Sequence, residues 1–204
     1  MDHHSTTPVA PEVFEAMRPY FSEHFGNAAS RNHQFGWAAE EVVEQARVQV
    51  ARLLGCKPAE IVWTSGATES DNLAIKGVAA AYREKGRHLI TSRIEHHAVL
   101  DSCRRLEREG YRVSYLPVDR SGKVDPADVE RAITKETILI SIMAANNEIG
   151  TLQPVAEIGR IAKRHGVLFH TDAVQHVGKL PLSVDDWRSE EHTSELQSRT
   201  LISY

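Results

Sequence analysis

The sequence predicts an α/β domain built on a largely parallel sheet, and three observations carry that reading. Short apolar runs alternate with segments of helical periodicity along most of the chain, the pattern that strand–helix–strand crossovers produce. TILISIMAA (137–145) and VLFHTDA (167–173) are nearly all apolar, as strands covered on both faces must be. Gly and Pro fall at the joints, where helices stop and turns begin.

Pro8 and Pro11 follow Thr6 and Thr7, a helix-start pattern leading into VFEAMRPYF. GNAAS then breaks the chain. From Asn32 to Leu54, apolar residues at Phe35, Ala38, Val42, Val43, Ala46, Val50 and Leu53 recur at helical spacing, which predicts a long amphipathic helix closed by Gly55. Beyond it, EIVWT (60–64) reads as a strand and 66–86 as a helix. HLITS (88–92) reads as a strand and 97–110 as a helix ended by Gly110. YRVSYLPV (111–118) is a strand, PADVERAI (126–133) a short helix and 137–145 a strand. The segment 154–166 is a helix and 167–173 a last strand. The expected domain is residues 1–187, with an N-terminal helical segment.

From Arg188 the text RSEEHTSELQSRTLISY shows neither periodicity and turns abruptly to Ser, Thr and Glu. RSEEHTSELQS resembles the translation of a common sequencing-library adapter. Residues 188–204 are therefore read as a non-native tail.

Composition narrows the function classes. The chain has 204 residues, 41% hydrophobic and 25% charged, with a formal net charge of -4, a soluble globular profile. Lys and Arg are scattered, which argues against nucleic acid as a partner. No stretch approaches the ~18 apolar residues that span a bilayer, and the N-terminus lacks a secretory pattern. With only Cys56 and Cys103 there is no disulfide framework, and a reducing cytoplasm is expected.

In open parallel sheets ligands bind beyond the carboxyl ends of the strands. Ser65-Gly66-Ala67-Thr68-Glu69 follows EIVWT at a helix start. Free amides there hold a phosphate, or the residues are simply an N-cap. Glu95-His96-His97 follows HLITS; an adjacent pair points to opposite sides and is poor spacing for a metal. His96 is either a solvated loop histidine or a flat ring that stacks on an aromatic ligand. Asn146 and Asn147 follow 137–145 as a turn device or as ligand hydrogen-bonders. Asp172 ends the last strand, followed by Gln175. A carboxylate there is an N-cap, has a positive partner, or is protonated. A phosphorylated, protonatable aromatic ring would use all four strand ends. Pyridoxal 5'-phosphate (PLP) fits that description, and a nucleotide is the other reading.

TSGATESDNLAIKG, EHHAVLDSCRRLEREG, NNEIGTLQP and HTDAVQHVGKLP resemble, in order, the successive blocks of the cysteine desulfurases in the class V aminotransferase group. DHHSTTP and FGNAASRNHQFGW also resemble that family, although it often has proline where Ala28 stands. The resemblance implies a PLP-dependent transferase of fold type I, here an incomplete large domain. It implies conversion of L-cysteine to L-alanine and an enzyme persulfide that feeds iron–sulfur cluster or thio-cofactor assembly. Full-length members are homodimers that pass sulfur to a scaffold or other acceptor protein. Among related enzymes, selenocysteine lyases and aminotransferases are the alternatives.

The same resemblance implies that Ala67 and Thr68 hold the cofactor phosphate. His96 would stack on the pyridine ring and assist proton transfer. Asn147 and Gln175 would lie at the phenolic oxygen, and Asp172 would pair with the pyridinium nitrogen. The family's Schiff-base lysine lies in a Ser-Gly-His-Lys motif that this sequence does not contain, and Lys179 belongs to a different block. Neither Cys56 nor Cys103 matches the family's nucleophile. The chain is accordingly expected to be a catalytically silent fragment.

Overall fold

The computed structural model describes residues 6–182, Val184 and Trp187, together with the backbone of Thr200–Ser203. The start of the DHHSTTP block and most of the 188–204 tail lie outside the described residues. The chain divides into two compact units, Met1–Val62 and Trp63–Tyr204.

The first unit is helical. Helices α1 (Pro11–Met17) and α2 (Pro19–Ser22) each begin on a proline, whose missing N–H costs nothing in a first turn. Helix α3 (Gln34–Leu54) starts where the His33 ring accepts from the Gly36 amide at 3.1 Å. It stops at Gly55, whose φ of 70° lets the Cys56 amide turn back onto the Ala51 carbonyl at 2.9 Å. The apolar stripe is half-buried in its middle, at Val42, Val43, Ala46 and Val50, and open at its ends, where Phe35 is 68% exposed and Leu53 54%.

The second unit carries the sheet. Its strands are β1 (His88–Ser92), β2 (Arg112–Leu116), β3 (Thr137–Ser141), β4 (Leu168–Asp172) and β5 (Thr200–Ser203). They lie in the order β2-β1-β3-β4-β5, every pair parallel. Side-chain alternation sorts the core onto two faces. Ile90, Leu116, Ile140 and Phe169 pack with Val129 of α6 (Pro126–Ala132) and Ile158 of α7 (Val155–Arg164). Leu89, Leu139 and Leu168 pack with Ile75 of α4 (Ala67–Ala81) and Val99 of α5 (His97–Arg108). All residues of β1, β3 and β4 are buried, so the apolar runs do mark strands covered on both sides.

Two expectations need correction. EIVWT (60–64) is not a strand: Pro58–Glu60 is a 3-10 turn, and Val62 and Trp63 stand 66% and 43% exposed. A β-pattern becomes a strand only against a neighbour, and none pairs with this segment among the described residues. Within residues 188–204, Thr200–Ser203 runs parallel to β4 as an edge strand. The sheet edge of β4 offers amides and carbonyls that any short extended segment can satisfy. The helix expected over 66–86 also ends early, at Ala81.

At the end of the sheet opposite the strand carboxyl termini, His88 is 1% exposed and joins three strands. Its Nδ1 meets Thr137 Oγ1 at 2.7 Å and its Nε2 meets Ser114 Oγ at 2.9 Å. Burial first, then the Arg112 charge, holds the imidazole down at about 4. The folded state therefore refuses a proton that the unfolded chain accepts near 6.5. Stability is complete above that value and declines as the pH falls toward 4. His88→Gln should flatten this decline, which for one proton is at most about 1.4 kcal/mol per pH unit. Urea unfolding of both proteins between pH 7.5 and 4 checks it, and parallel pH curves would refute it.

Candidate active site at the strand carboxyl ends

Sheet order places the site. From β1 the chain steps one way to β2 and the other way to β3, so the turns after β1 and β3 diverge and leave a crevice between them. His96 follows β1, Asn147 follows β3 and Asp172 ends β4, three neighbouring strands. Three of the sequence-expected residues, His96, Asn147 and Asp172, thus lie at one end of one sheet.

A buried carboxyl joins the two turns. Glu95 is 6% exposed and accepts from Ser92 Oγ at 2.5 Å. Its two oxygens take the Met143 amide at 3.1 and 3.0 Å. Beside it, Asn146 Nδ2 donates to the Ile94 carbonyl at 3.0 Å, while Asn146 Oδ1 accepts from the Glu148 and Ile149 amides at 2.9 and 3.0 Å. The paired asparagines have separate jobs: Asn146 is the turn device, and half-buried Asn147 is presented on the loop it shapes. That loop is closed by the Ala145–Leu152 bridge and by Gly150 at φ 71°, a conformation that costs a side chain.

His96 caps α5, its Nδ1 accepting from the Ala98 amide at 3.2 Å. The proton of a neutral ring then sits on Nε2, the nitrogen turned away from the helix. As placed, the exposed ring can donate from Nε2 and present a flat face. Its rings with His97 lie at 67°, 6.2 Å apart, so the adjacent histidines do not converge.

The turn before α4 is open. Gly66 is its N-cap, and a Cβ built there meets no atom within 4 Å. Thr68 is exposed and Ala67 half-buried. Glu69 folds back to accept from the Ser65 amide at 2.7 Å and the Ser65 hydroxyl at 2.5 Å; the hydroxyl bond is the chief cause of its lowered pKa. This ties the loop into one shape and leaves the start of α4 accessible to an anion.

Asp172 is 7% exposed, and its Oδ1 accepts from the Val174 amide at 3.0 Å. Burial, and after it the Asp71 charge, raises its carboxyl above the ordinary value. A cationic N–H delivered to it would reverse that cost. Three residues on, the Gln175 amide oxygen accepts from Lys179 Nζ at 2.7 Å. These donors fit a phosphorylated pyridinium: accessible helix-start amides, a flat imidazole, amides, and a buried carboxylate in want of a cation.

The class-V aminotransferase description matches residues 1–189. The chain belongs to the class-V aminotransferase family. Among its class-V relatives, the cysteine desulfurase IscS of Anaeromyxobacter sp. (strain Fw109-5) is 60% identical over 186 residues, 91% of this chain and 46% of that protein. Human cysteine desulfurase is 55% identical over 188 residues, 92% of this chain and 41% of that protein. Of solved structures, a NifS-like protein superposes with a TM-score of 0.88 at 43% identity, covering 91% of this chain and 51% of that one. SspA in complex with cysteine also gives 0.88, at 46% identity, covering 91% and 53%. The chain therefore spans about half the length of the relatives it matches. These class-V likenesses carry the α/β fold reading and the likeness to cysteine desulfurases.

Sequence reasoning missed Glu95, which it treated only as the neighbour of His96, and two further buried groups, Asp71 and His170. The signal for Asp71 is its phase: it opens the stripe Asp71, Ile75, Val78, Ala79 that α4 buries. Cys103 is buried in the core of the second unit, and burial pushes its thiol up to about 12, far from a thiolate at neutral pH.

Burial also raises Glu95 to about 8, against the lowering hydrogen bonds of Ser92 and Met143. The folded state holds this proton, so the contribution is complete below 4.5 and is lost as the pH rises through 8. Glu95→Gln cannot titrate, and its stability relative to the parent should climb from pH 5 to 9. A constant difference in unfolding midpoint across that range would refute the assignment.

Proposed function

We propose that this chain is the PLP-binding part of a cysteine desulfurase, an enzyme that moves sulfur from L-cysteine to its own cysteine as a persulfide and releases L-alanine. The observation that carries the reading is the buried Asp172 carboxylate at the switch-point end of the sheet, in a chain of this family. The sulfur would go to an iron–sulfur scaffold or another acceptor protein, and the full-length enzyme would act as a cytoplasmic homodimer. Among the described residues no helix is long and apolar enough to cross a membrane.

Each side chain has a task in this reading. The amides of Ala67 and Thr68, with the Thr68 hydroxyl, bind the cofactor phosphate at the positive end of the α4 dipole. His96 covers the ring and holds a proton on Nε2, ready to give it up during the reaction. Asn147 and Gln175 orient the ring through its phenolic oxygen. Asp172 keeps the ring nitrogen protonated. When bound, PLP supplies an electron sink for charge that develops at the substrate α-carbon. Glu95 and Asn146 hold the turns that aim these groups.

Covalent attachment is not expected of this chain. Its 204 residues contain no Ser-Gly-His-Lys, and Lys179 is engaged with Gln175.

Titration with PLP, followed by absorbance and by competition with inorganic phosphate, should show saturable binding. Asp172→Asn should weaken it about 10- to 100-fold, the loss of one charge-assisted hydrogen bond. Unchanged affinity in that variant would overturn the ring-nitrogen assignment. Binding of ATP in place of PLP would point to a nucleotide module. Borohydride reduction of the mixture should give only low, scattered pyridoxyl labelling of lysines by peptide mass mapping, and one lysine modified specifically and in proportion to bound PLP would contradict this.

A further inference from the structure

The carboxyl end of β4 holds more buried charge than one cofactor contact needs. Leu168, His170 and Asp172 alternate onto the face of the sheet that α4 and α5 cover. Asp71 reaches the same face from α4. Asp71 and His170 are both 0% exposed, and His170 Nε2 lies 3.5 Å from Asp71 Oδ1. Neither Asp71 oxygen accepts a hydrogen bond among the described residues. On the other side of the ring, His170 Nδ1 meets Ser141 Oγ at 2.8 Å, and Ser141 is the β3 residue in register with His170. The imidazole is thus clamped in one orientation, its second nitrogen toward a carboxylate that has no hydrogen-bond donor of its own.

A carboxylate left in that position repels its neighbours. Asp71 disfavours the ionised form of both Asp172 and Glu95, while His170 favours ionised Asp172. Breaking a buried ion pair by deleting one partner leaves the other charge uncompensated.

We propose that His170 is a positioning residue for Asp172: held by Ser141, it neutralises Asp71, so that Asp172 is the carboxylate left to receive a protonated ring nitrogen. The inference rests on the PLP reading above and deepens it. Four groups face Asp172 in this scheme: Asp71 from α4, His170 from β4, His96 from the start of α5, and Glu95 from the turn after β1. Strand β5 carries no titratable residue.

The test uses pyridoxine 5'-phosphate, which keeps the ring nitrogen and phosphate but has no aldehyde, so no lysine chemistry intrudes. Affinity and the ring 15N shift are followed between pH 6 and 9 for the parent chain, His170→Gln, Asp71→Asn and the double variant. His170→Gln should bind about tenfold more weakly at pH 6, because the uncompensated Asp71 makes Asp172 take up a proton at higher pH, while the bound ring nitrogen keeps its own proton to higher pH. Adding Asp71→Asn to it should restore both readouts, because the repelling carboxylate is gone. A packing role for His170 predicts no rescue, and absence of rescue overturns the proposal. If His170→Gln does not fold, urea stability carries the same comparison: the double variant regains the fold under the proposal and fails to under a packing role. No binding by the parent chain at any pH would instead sink the cofactor reading, while rescue of stability by Asp71→Asn would still stand for the Asp71–His170 pairing.

Discussion

The carboxyl of Glu95 bridges the ends of β1 and β3, and the geometry of the strand-end cluster depends on that bridge. Parallel neighbours diverge at a switch point, so nothing in the ladder itself holds their following turns together. Glu95 does so from one side with Ser92 and from the other with the Met143 amide. Asn146 repeats the tie one turn farther on through Ile94. His96 and Asn147 are consequently carried on the two turns that these bonds tie together. Burial keeps this carboxyl protonated up to about 8, so at neutral pH it adds no charge beside Asp71 and Asp172.

The charge pattern at this end of the sheet is therefore a graded one. Glu95 is neutralised by its proton, Asp71 faces His170, and Asp172 has a backbone amide and an imidazole at longer range. Of the three acids, Asp172 stands nearest the turn that carries Gln175, where a ring could lie. The opposite end of the sheet is arranged differently. There His88 is buried as a neutral ring among hydroxyls, with the Arg112 charge helping to keep it so, a structural use of the same residue type. Two histidines in strands, one facing a carboxylate and one facing hydroxyls, differ only in what the neighbouring strands and helices bring to them.

Edges tell a similar story about context. The β-rich segment Ile61–Thr64 stays irregular and exposes Val62 and Trp63, whereas Thr200–Ser203 is drawn onto β4. Pairing follows the availability of an edge more than local pattern, since backbone groups gain nothing from extension alone. The apolar stripe of α3 is the helical counterpart, a periodic face with Phe35 and Leu53 open.

Much of the architecture was legible because its signals are local. Continuous apolar runs marked β3 and β4, glycines marked the ends of α3 and α5, and the rule that ligands sit at strand carboxyl ends pointed to Thr68, His96, Asn147 and Asp172 before any coordinates. What sequence alone determined was the α/β class and most of the element order, and it named the candidate residues for a ligand. Tertiary structure decided the rest: which asparagine shapes the turn, that Glu95 ties β1 to β3, and that Asp71 and His170 meet behind Asp172. The last two of these facts depend on residues 29 to 99 positions apart in the chain, 141 with 170, 95 with 143 and 71 with 170. No periodicity or spacing encodes such encounters, because they arise only when strand order and helix phase bring separate elements to one buried end.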